Sequence, residues 1–350
     1  LLFFANIPIC LFLIFYVGYG FSSYHRPTKK AEFDALGFVF YSLSITFIGT
    51  ALTVGQELDW FRSNLITFLL IAGSVSLLFF ILHSLSVPHP ILDLKLFRRF
   101  YFFFAMLNMG LITATYFGMI ILLSLWLKLY VNYTPNWIIL LIGTMAFASW
   151  IPVFLQHKRY DPRYPLAIAL LFLAISCFYT TYFNVEINFL RIAISRFMAG
   201  VGLALFLAPL ITLSFQIFPK EKLAECISFF HVVRLLGCGL GVALFVILWH
   251  RRQVFYHERL GSRLTEFSQE TLHFFDRAQQ ANIHGKQALA QLNYYLDRQA
   301  TALALDDCFY LMGWILVALL ILLVATFLFE APGLNRDKPL AKNGKIQPLT

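Results

Sequence analysis

A single arginine in the middle of an apolar run is the residue here most able to do chemistry. Arg234 lies in the stretch Phe230-His231-Val232-Val233-Arg234-Leu235-Leu236-Gly237-Cys238-Gly239-Leu240-Gly241, inside a run from about Leu223 to Trp249. That run is long enough to cross a bilayer at about 1.5 Å rise per residue. A cation is costly in such a place, which makes the arginine a candidate for function. His231 stands three residues earlier and shares its helical face. Gly237 and Gly241 have the GxxxG spacing that lets a second helix backbone come close. A buried charge beside a close-packing seam is what a transport pathway between mobile helices needs. The plainer alternative is that Arg234 satisfies backbone carbonyls at a helix break.

The other intramembrane polar residues form a looser set. Arg196 sits about one turn into an apolar run from Phe189 to Phe218, where it either faces a cavity or snorkels to the interface. Asn108, Thr113 and Thr115 in one run, with Thr212 and Gln216 in another, are candidates for lining a polar path; singly, each also reads as an interhelical hydrogen bond. Gly200, Gly202 and Pro209 make the Phe189–Phe218 run flexible and closely packable, and a proline there frees a backbone carbonyl that neighbours must satisfy. Asp34 and Asp307 each start a run, where an acid favours the helix dipole; Asp307 is also a candidate for an outer gate. His83, near the end of a run, reads as a snorkelling or satisfied histidine. There is no P-loop, HExxH, GxSxG or metal-ligand cluster, so the reading expects no enzyme, no cofactor and no metal.

The composition sets the elements that must hold these residues. Hydrophobic residues make up 59% of the 350, charged residues 13% and aromatics 17%. A soluble domain carries about 25% charge, so this is an integral membrane protein, an all-α polytopic helix bundle. Its net charge of +9 marks the cytoplasmic side of a membrane rather than a nucleic-acid partner. The five cysteines fall in or beside apolar runs without a CxxC pair, and read as packing residues.

About nine spans are expected: Leu1–Gly20, Phe33–Val54, Asn64–Val87, Phe100–Leu127, Pro135–Leu155, Tyr164–Phe183, Phe189–Phe218, Leu223–Trp249 and Asp307–Phe329. Lysine and arginine collect after the odd-numbered spans, at Arg26, Lys29 and Lys30, at Lys95, Arg98 and Arg99, at Lys158, Arg159 and Arg163, at Lys220 and Lys222, and beyond Glu330. That alternation places those loops and the 331–350 tail in the cytoplasm. The mixed-charge segment 251–306 then lies outside as an amphipathic loop, with Leu289, Leu292, Leu296 and Leu303 at helical spacing. It reads as either a solvated cap or a docking surface. An odd number of spans and a start at Leu1 inside an apolar segment suggest a fragment.

Several stretches resemble one family. Phe3-Phe4-Ala5-Asn6-Ile7-Pro8-Ile9 is similar to the start of the sixth helix in the 14-helix drug/proton antiporters of the major facilitator superfamily, EmrB/QacA type. Asp34-Ala35-Leu36-Gly37 resembles the start of the seventh, Gly55 to Ser63 the following G-x-E-x-DWF-x-S loop, and Pro90 to Phe97 the P-I-V-D-L-x-L-F element. Phe230 to Gly241 resembles the N-x-x-R-x-L-G-G-x-x-G pattern of the thirteenth. Two departures stand out: Thr53-Val54-Gly55 replaces Asp-Arg-Gly, and His231 replaces an asparagine, adding a group that titrates near neutral pH.

The resemblance implies a major facilitator bundle with five helices upstream, where the proton-carrying acid and the antiporter motif would lie. It divides the chain into 1–87, resembling helices six to eight with the inter-bundle pair, 88–250 as carboxy-terminal bundle helices, 251–306 as the extracytoplasmic loop, 307–330 as the last transmembrane helix, and the tail. It implies a bacterial inner-membrane transporter that exchanges protons for hydrophobic drugs or other toxic compounds by alternating access. Its partners would be membrane lipid, a membrane-fusion adaptor and an outer-membrane channel. The alternatives are an importer or lipid or solute carrier of the same superfamily, and an inactive truncated fragment.

Overall fold

The computed structural model describes residues 2–20, 34–55, 57–88, 90–150, 161–215, 223–265 and 268–329. Its helices are α1 (Leu2–Gly20), α2 (Ala35–Val54), α3 (Asn64–Ser86), α4 (Phe100–Leu129), α5 (Pro135–Ala148), α6 (Arg163–Thr180), α7 (Phe189–Phe215), α8 (Leu223–Gly261), α9 (Gln269–Gln280) and α10 (Lys286–Phe329). No strand occurs among the described residues. That is the outcome a hydrocarbon solvent dictates, since only a helix satisfies every backbone donor and acceptor within its own segment. Seven helices are long and apolar enough to span: α2, α3, α4, α6, α7, α8 and α10. The Ile7–Tyr19 part of α1, and α5, are apolar but shorter. The chain is an all-α, multi-pass membrane bundle.

Helix ends follow local chemistry. The side chain of Asp34 caps α2 by accepting from the Gly37 N–H at 2.8 Å. Pro135 opens α5 at a first-turn position, where its missing N–H costs nothing. Between α2 and α3 the chain turns through Asp59 and Trp60, both at positive φ, 54° and 53°. Before α4, a short 3₁₀ turn covers Leu94–Arg98 with Asp93 accepting from the Lys95 N–H.

α4 is the central helix. Phe102, Met106, Met109, Ile112, Met119, Leu122 and Trp126 are all fully buried along it. It packs most extensively on α8, and also meets α5, α7 and α10. α6 packs on α7 and α10. The α4–α8 seam is close because it is built from small residues. A Cβ on Gly237 would stand 2.5 Å from the Gly110 carbonyl oxygen, and one on Gly241 would collide with the Ala114 backbone. α2 and α3 pair with each other at the side of the bundle, and α2 touches α8; outward they present Leu36, Phe68, Ile71 and Leu78.

Two helices run well past any bilayer. At about 1.5 Å per residue, the 44 residues of α10 extend to about 66 Å, against about 30 Å of hydrocarbon. The last helix therefore begins at Lys286 rather than at Asp307, and α8 continues beyond Trp249 to Gly261. Residues 251–306 contain these two extensions and α9 between them. The extensions are stitched together by Trp249 Nε1 donating to the Thr301 carbonyl at 3.2 Å, by Arg252 and Tyr256 on Asp307, and by His257 on Asp297 at 2.7 Å. Of the leucine stripe on α10, Leu289 and Leu303 remain exposed while Leu292 and Leu296 are half-buried.

At the other end of the bundle, Asp34 binds α2, α3 and the chain after α3 together. Its carboxylate accepts from Gly37, from the Nε2 of His83 at 2.8 Å and from the Ile91 N–H at 3.3 Å. His83 is thus a satisfied histidine, held by an acid that is only 7% exposed. Burial alone would raise the Asp34 pKa, but the Gly37 N–H, the His83 ring and the Ile91 N–H outweigh it and hold it below the ordinary carboxylate value.

Two measurements check this packing. Gly241→Ala should lower the thermal midpoint in detergent, by the equivalent of about 1–3 kcal/mol for an overpacked contact. Gly239→Ala, where an added Cβ meets nothing within 4 Å, should not; equal midpoints for both would show that the seam is not tight. Asp34→Asn should lower the midpoint at pH 7. A lowered carboxylate pKa stabilises above the unfolded-state value and is lost below it, so the gap between variant and wild type should close as pH falls below about 3.9.

Candidate functional site

The sequence-selected residues fall into three places. The first is the α4–α8 seam. Gly237 and Gly241 form it, and Thr113 contributes from the α4 side, its hydroxyl donating to the Met109 carbonyl at 2.7 Å. Arg234 lies one turn before Gly237 and is half-buried; its Nε is shielded from solvent with no hydrogen-bond partner. His231 shares the helix but is exposed, its ring edge-on to Phe230. Arg234 therefore does not sit at a break in α8, which is continuous from Leu223 to Gly261.

Beside this part of α8 is an apolar cavity of about 540 Å³. Its walls come from α2 (Tyr41, Ile45, Ile48), α3 (Leu77, Phe80) and α8 (Val232, Leu236, Leu240), with Ser44 as a small polar point. That volume and lining fall in the range of small-molecule sites, about 300–1,000 Å³ and mainly hydrophobic.

The second place is Arg196. It is 2% exposed, so it does not snorkel. One terminal nitrogen donates to Thr180 Oγ1 at 3.1 Å and to Ser195 Oγ at 3.0 Å, and the guanidinium lies 5.6 Å from the Phe309 ring centroid. Ser176 completes a buried hydroxyl cluster, donating to the Ser195 carbonyl at 2.8 Å. Sequence reading passed over this cluster. Its signal was the four-residue spacing of Ser176 and Thr180 on one helix, but only packing brings that face against Ser195 and Arg196. Gly200 and Gly202, one turn on, permit the approach: a Cβ on Gly200 would overlap the Met145 carbonyl of α5, and one on Gly202 would stand 2.7 Å from Leu173 of α6.

The third place is the outgoing end of α8 and the middle of α10. Asp307 accepts from Tyr256 at 2.8 Å and pairs with Arg252 at 2.9 Å. Sequence reading gave Asp307 a helix-start role. The structure puts it inside a helix, bound to a cation and a phenol of α8.

The remaining candidates do not converge on one path. Asn108 is fully buried, with Nδ2 donating to the Phe104 carbonyl and Oδ1 without a partner. Thr115 is buried and returns its hydroxyl to the Leu111 and Ile112 carbonyls. Thr212 is exposed and donates to the Ala208 carbonyl, one residue before Pro209, through which α7 continues. Gln216, His157 to Arg159 and the 331–350 tail lie outside the described residues. No group of three or more metal-ligating side chains occurs among the described residues.

No family model matches the chain. Curated proteins do. It is 24% identical over 329 residues to the multidrug export protein EmrB of Haemophilus influenzae, covering 92% of this chain and 64% of that protein. It is 28% identical to the fatty acid resistance protein FarB of Neisseria gonorrhoeae over the same shares, 92% and 64%. It is 26% identical over 328 residues to EmrB of Escherichia coli K12, covering 91% of this chain and 63% of that protein. The chain thus spans somewhat less than two-thirds of the length of these relatives. With seven spanning helices and bacterial relatives of this kind, it is a multi-pass protein of the inner membrane. Along nine-tenths of its length, this chain is similar to the multidrug export protein EmrB of two bacteria and to the fatty acid resistance protein FarB of a third.

Proposed function

We propose that this chain is part of a transporter that exports hydrophobic drugs or other toxic compounds by alternating access, coupled to protons. The carrying observation is the likeness to multidrug export proteins along 92% of the chain. The apolar cavity of about 540 Å³ between α2, α3 and α8 supports it physically. Such a wall binds by buried apolar area rather than by a fixed hydrogen-bond pattern, which suits a range of greasy substrates.

In this reading α4 to α8 and the membrane part of α10 form the carboxy-terminal bundle, with α2 and α3 as the pair between bundles. The α4–α8 seam supplies close contact, and Arg234 supplies a charge that changes polar partners as the bundle rocks. A half-buried guanidinium with an unused Nε suits such a role, because a fully paired one would be locked. The extensions of α8 and α10, with α9, stand on the outer side and offer a surface to a membrane-fusion adaptor and, through it, an outer-membrane channel. The Arg252–Asp307 pair ties the two helices at the base of that surface.

Cells expressing the full-length gene should extrude a lipophilic dye, and a protonophore should stop it. Extrusion that persists with the uncoupler would remove proton coupling; net uptake would favour an importer. Arg234→Leu should abolish extrusion while membrane insertion and amount are unchanged, and Arg234→Lys should restore only part of it. Full extrusion by the leucine variant would overturn the role given to Arg234.

A further inference from the structure

Two adjacent acids on α10 have opposite surroundings. Asp307 takes Arg252 at 2.9 Å and Tyr256 at 2.8 Å from α8. Asp306 has no such partner: its Oδ1 is shielded from solvent, and no donor among the described residues reaches it. Leu305 and Cys308, on either side of the pair, are fully buried. A carboxylate placed there has given up water and gained no hydrogen bond in return, which strongly disfavours it. A proton on Asp306 removes the charge, and with it most of that penalty.

The charged groups nearby give no relief. On α10 the neighbour is Asp307 itself, a like charge. α8 brings Arg252 and Tyr256, both turned to Asp307, with Arg259 one turn further out. α6 ends in Tyr179 and Thr180, and the loop after it adds the exposed Glu186. α4 closes with Lys128, exposed to solvent, and Tyr130, which accepts from Gln253. α9 meets α10 around Gln291 and Tyr295, roughly three turns away. Asp306 stands at the end of the outer segment 251–306, before the apolar stretch that crosses the membrane. Burial first, and then the Asp307 charge, push its pKa up to about 8, far above the roughly 3.9 of a free aspartate.

We infer that the Asp306 carboxyl is a proton-binding site at the outer end of this bundle, whose loading is felt by the Asp307–Arg252 joint. The step is an acid–base exchange: an O–H bond on Asp306 forms with a proton from outer water, and breaks to leave a carboxylate. The residue is half-buried, so that exchange needs no route through the apolar core. Once ionised, Asp306 repels Asp307 and draws on the same guanidinium. The proton thereby bears on the tie between α8 and α10, and α8 is the helix that lines the large apolar cavity. The outer orientation and the link to transport rest on the export reading; the proton site itself does not.

The test is infrared spectroscopy of the purified full-length protein in detergent, reading the carbonyl stretch of protonated carboxyls. At pH 7 wild type should show such a band that Asp306→Asn lacks, and the band should fade as pH rises through about 8. Asp306→Glu should move the band rather than remove it, and serves as the comparison should the asparagine variant not fold. Asp307→Asn takes away the neighbouring charge and should shift the fading to lower pH, which a mere packing role for Asp306 would not do. In reconstituted vesicles, dye export by wild type should depend on outer pH, and Asp306→Asn should lose that dependence. No band in wild type at pH 7, a band unchanged by both Asp306 variants, or an unaltered dependence on outer pH in Asp306→Asn would overturn the inference. A wild type that shows the band but exports nothing would overturn the export reading and leave the proton site standing.

Discussion

Close approach of helix backbones at small residues is the contact on which this bundle depends. Lipid tails are as apolar as leucine, so apolar burial alone does not drive one spanning helix onto another. What remains is van der Waals packing, whose gain falls off within an ångström of optimal distance. Gly237 and Gly241 let α8 lie directly on Gly110 and Ala114 of α4, and Gly200 and Gly202 let α7 lie on α5 and α6. With α7 and α8 seated in this way, α4 is enclosed and its row of methionines and aromatics becomes the core. Methionine suits that row, being unbranched and able to follow an irregular partner surface.

Charge is then distributed according to how much each group is asked to do. Where the bundle needs a fixed joint, an acid is held by several donors at once, as with Asp34 on His83 and two backbone N–H groups, or Asp307 on Arg252 and Tyr256. Both joints lie toward the ends of spans, where partial hydration lowers the cost of desolvating an ion pair. Deeper in, Arg234 and Arg196 each keep donors unused. The two differ in surroundings. Arg234 is half-buried on the helix that lines the large apolar cavity, whereas Arg196 is enclosed on a hydroxyl cluster. A partly used cation in low dielectric interacts strongly with whatever comes near it, which is why both are functional candidates for separate reasons.

Some elements were legible from residue order and others were not. Apolar runs of about twenty residues located the spanning helices, because length and hydropathy are properties of the segment alone. The start of α10 was misjudged for the same reason: Asp306 and Asp307 interrupt hydropathy without interrupting helix, and a neighbouring helix supplies Arg252 and Tyr256 to Asp307. His83 was legible as a satisfied histidine, but its acid is 49 positions away and could not be read from spacing.

By itself, the sequence determined the solvent the protein lives in, the helical class that follows from it, and the small residues at which helices can touch. Each of these is local: hydropathy, backbone satisfaction and the lack of a side chain act within one segment. The tertiary structure alone decided which faces meet. It turned Thr180 and Ser195 toward one guanidinium nitrogen and left the others unfilled. It also carried α8 and α10 beyond the membrane as a joined pair. Those outcomes depend on contacts between residues far apart in the chain, whose energies exist only once the bundle has closed.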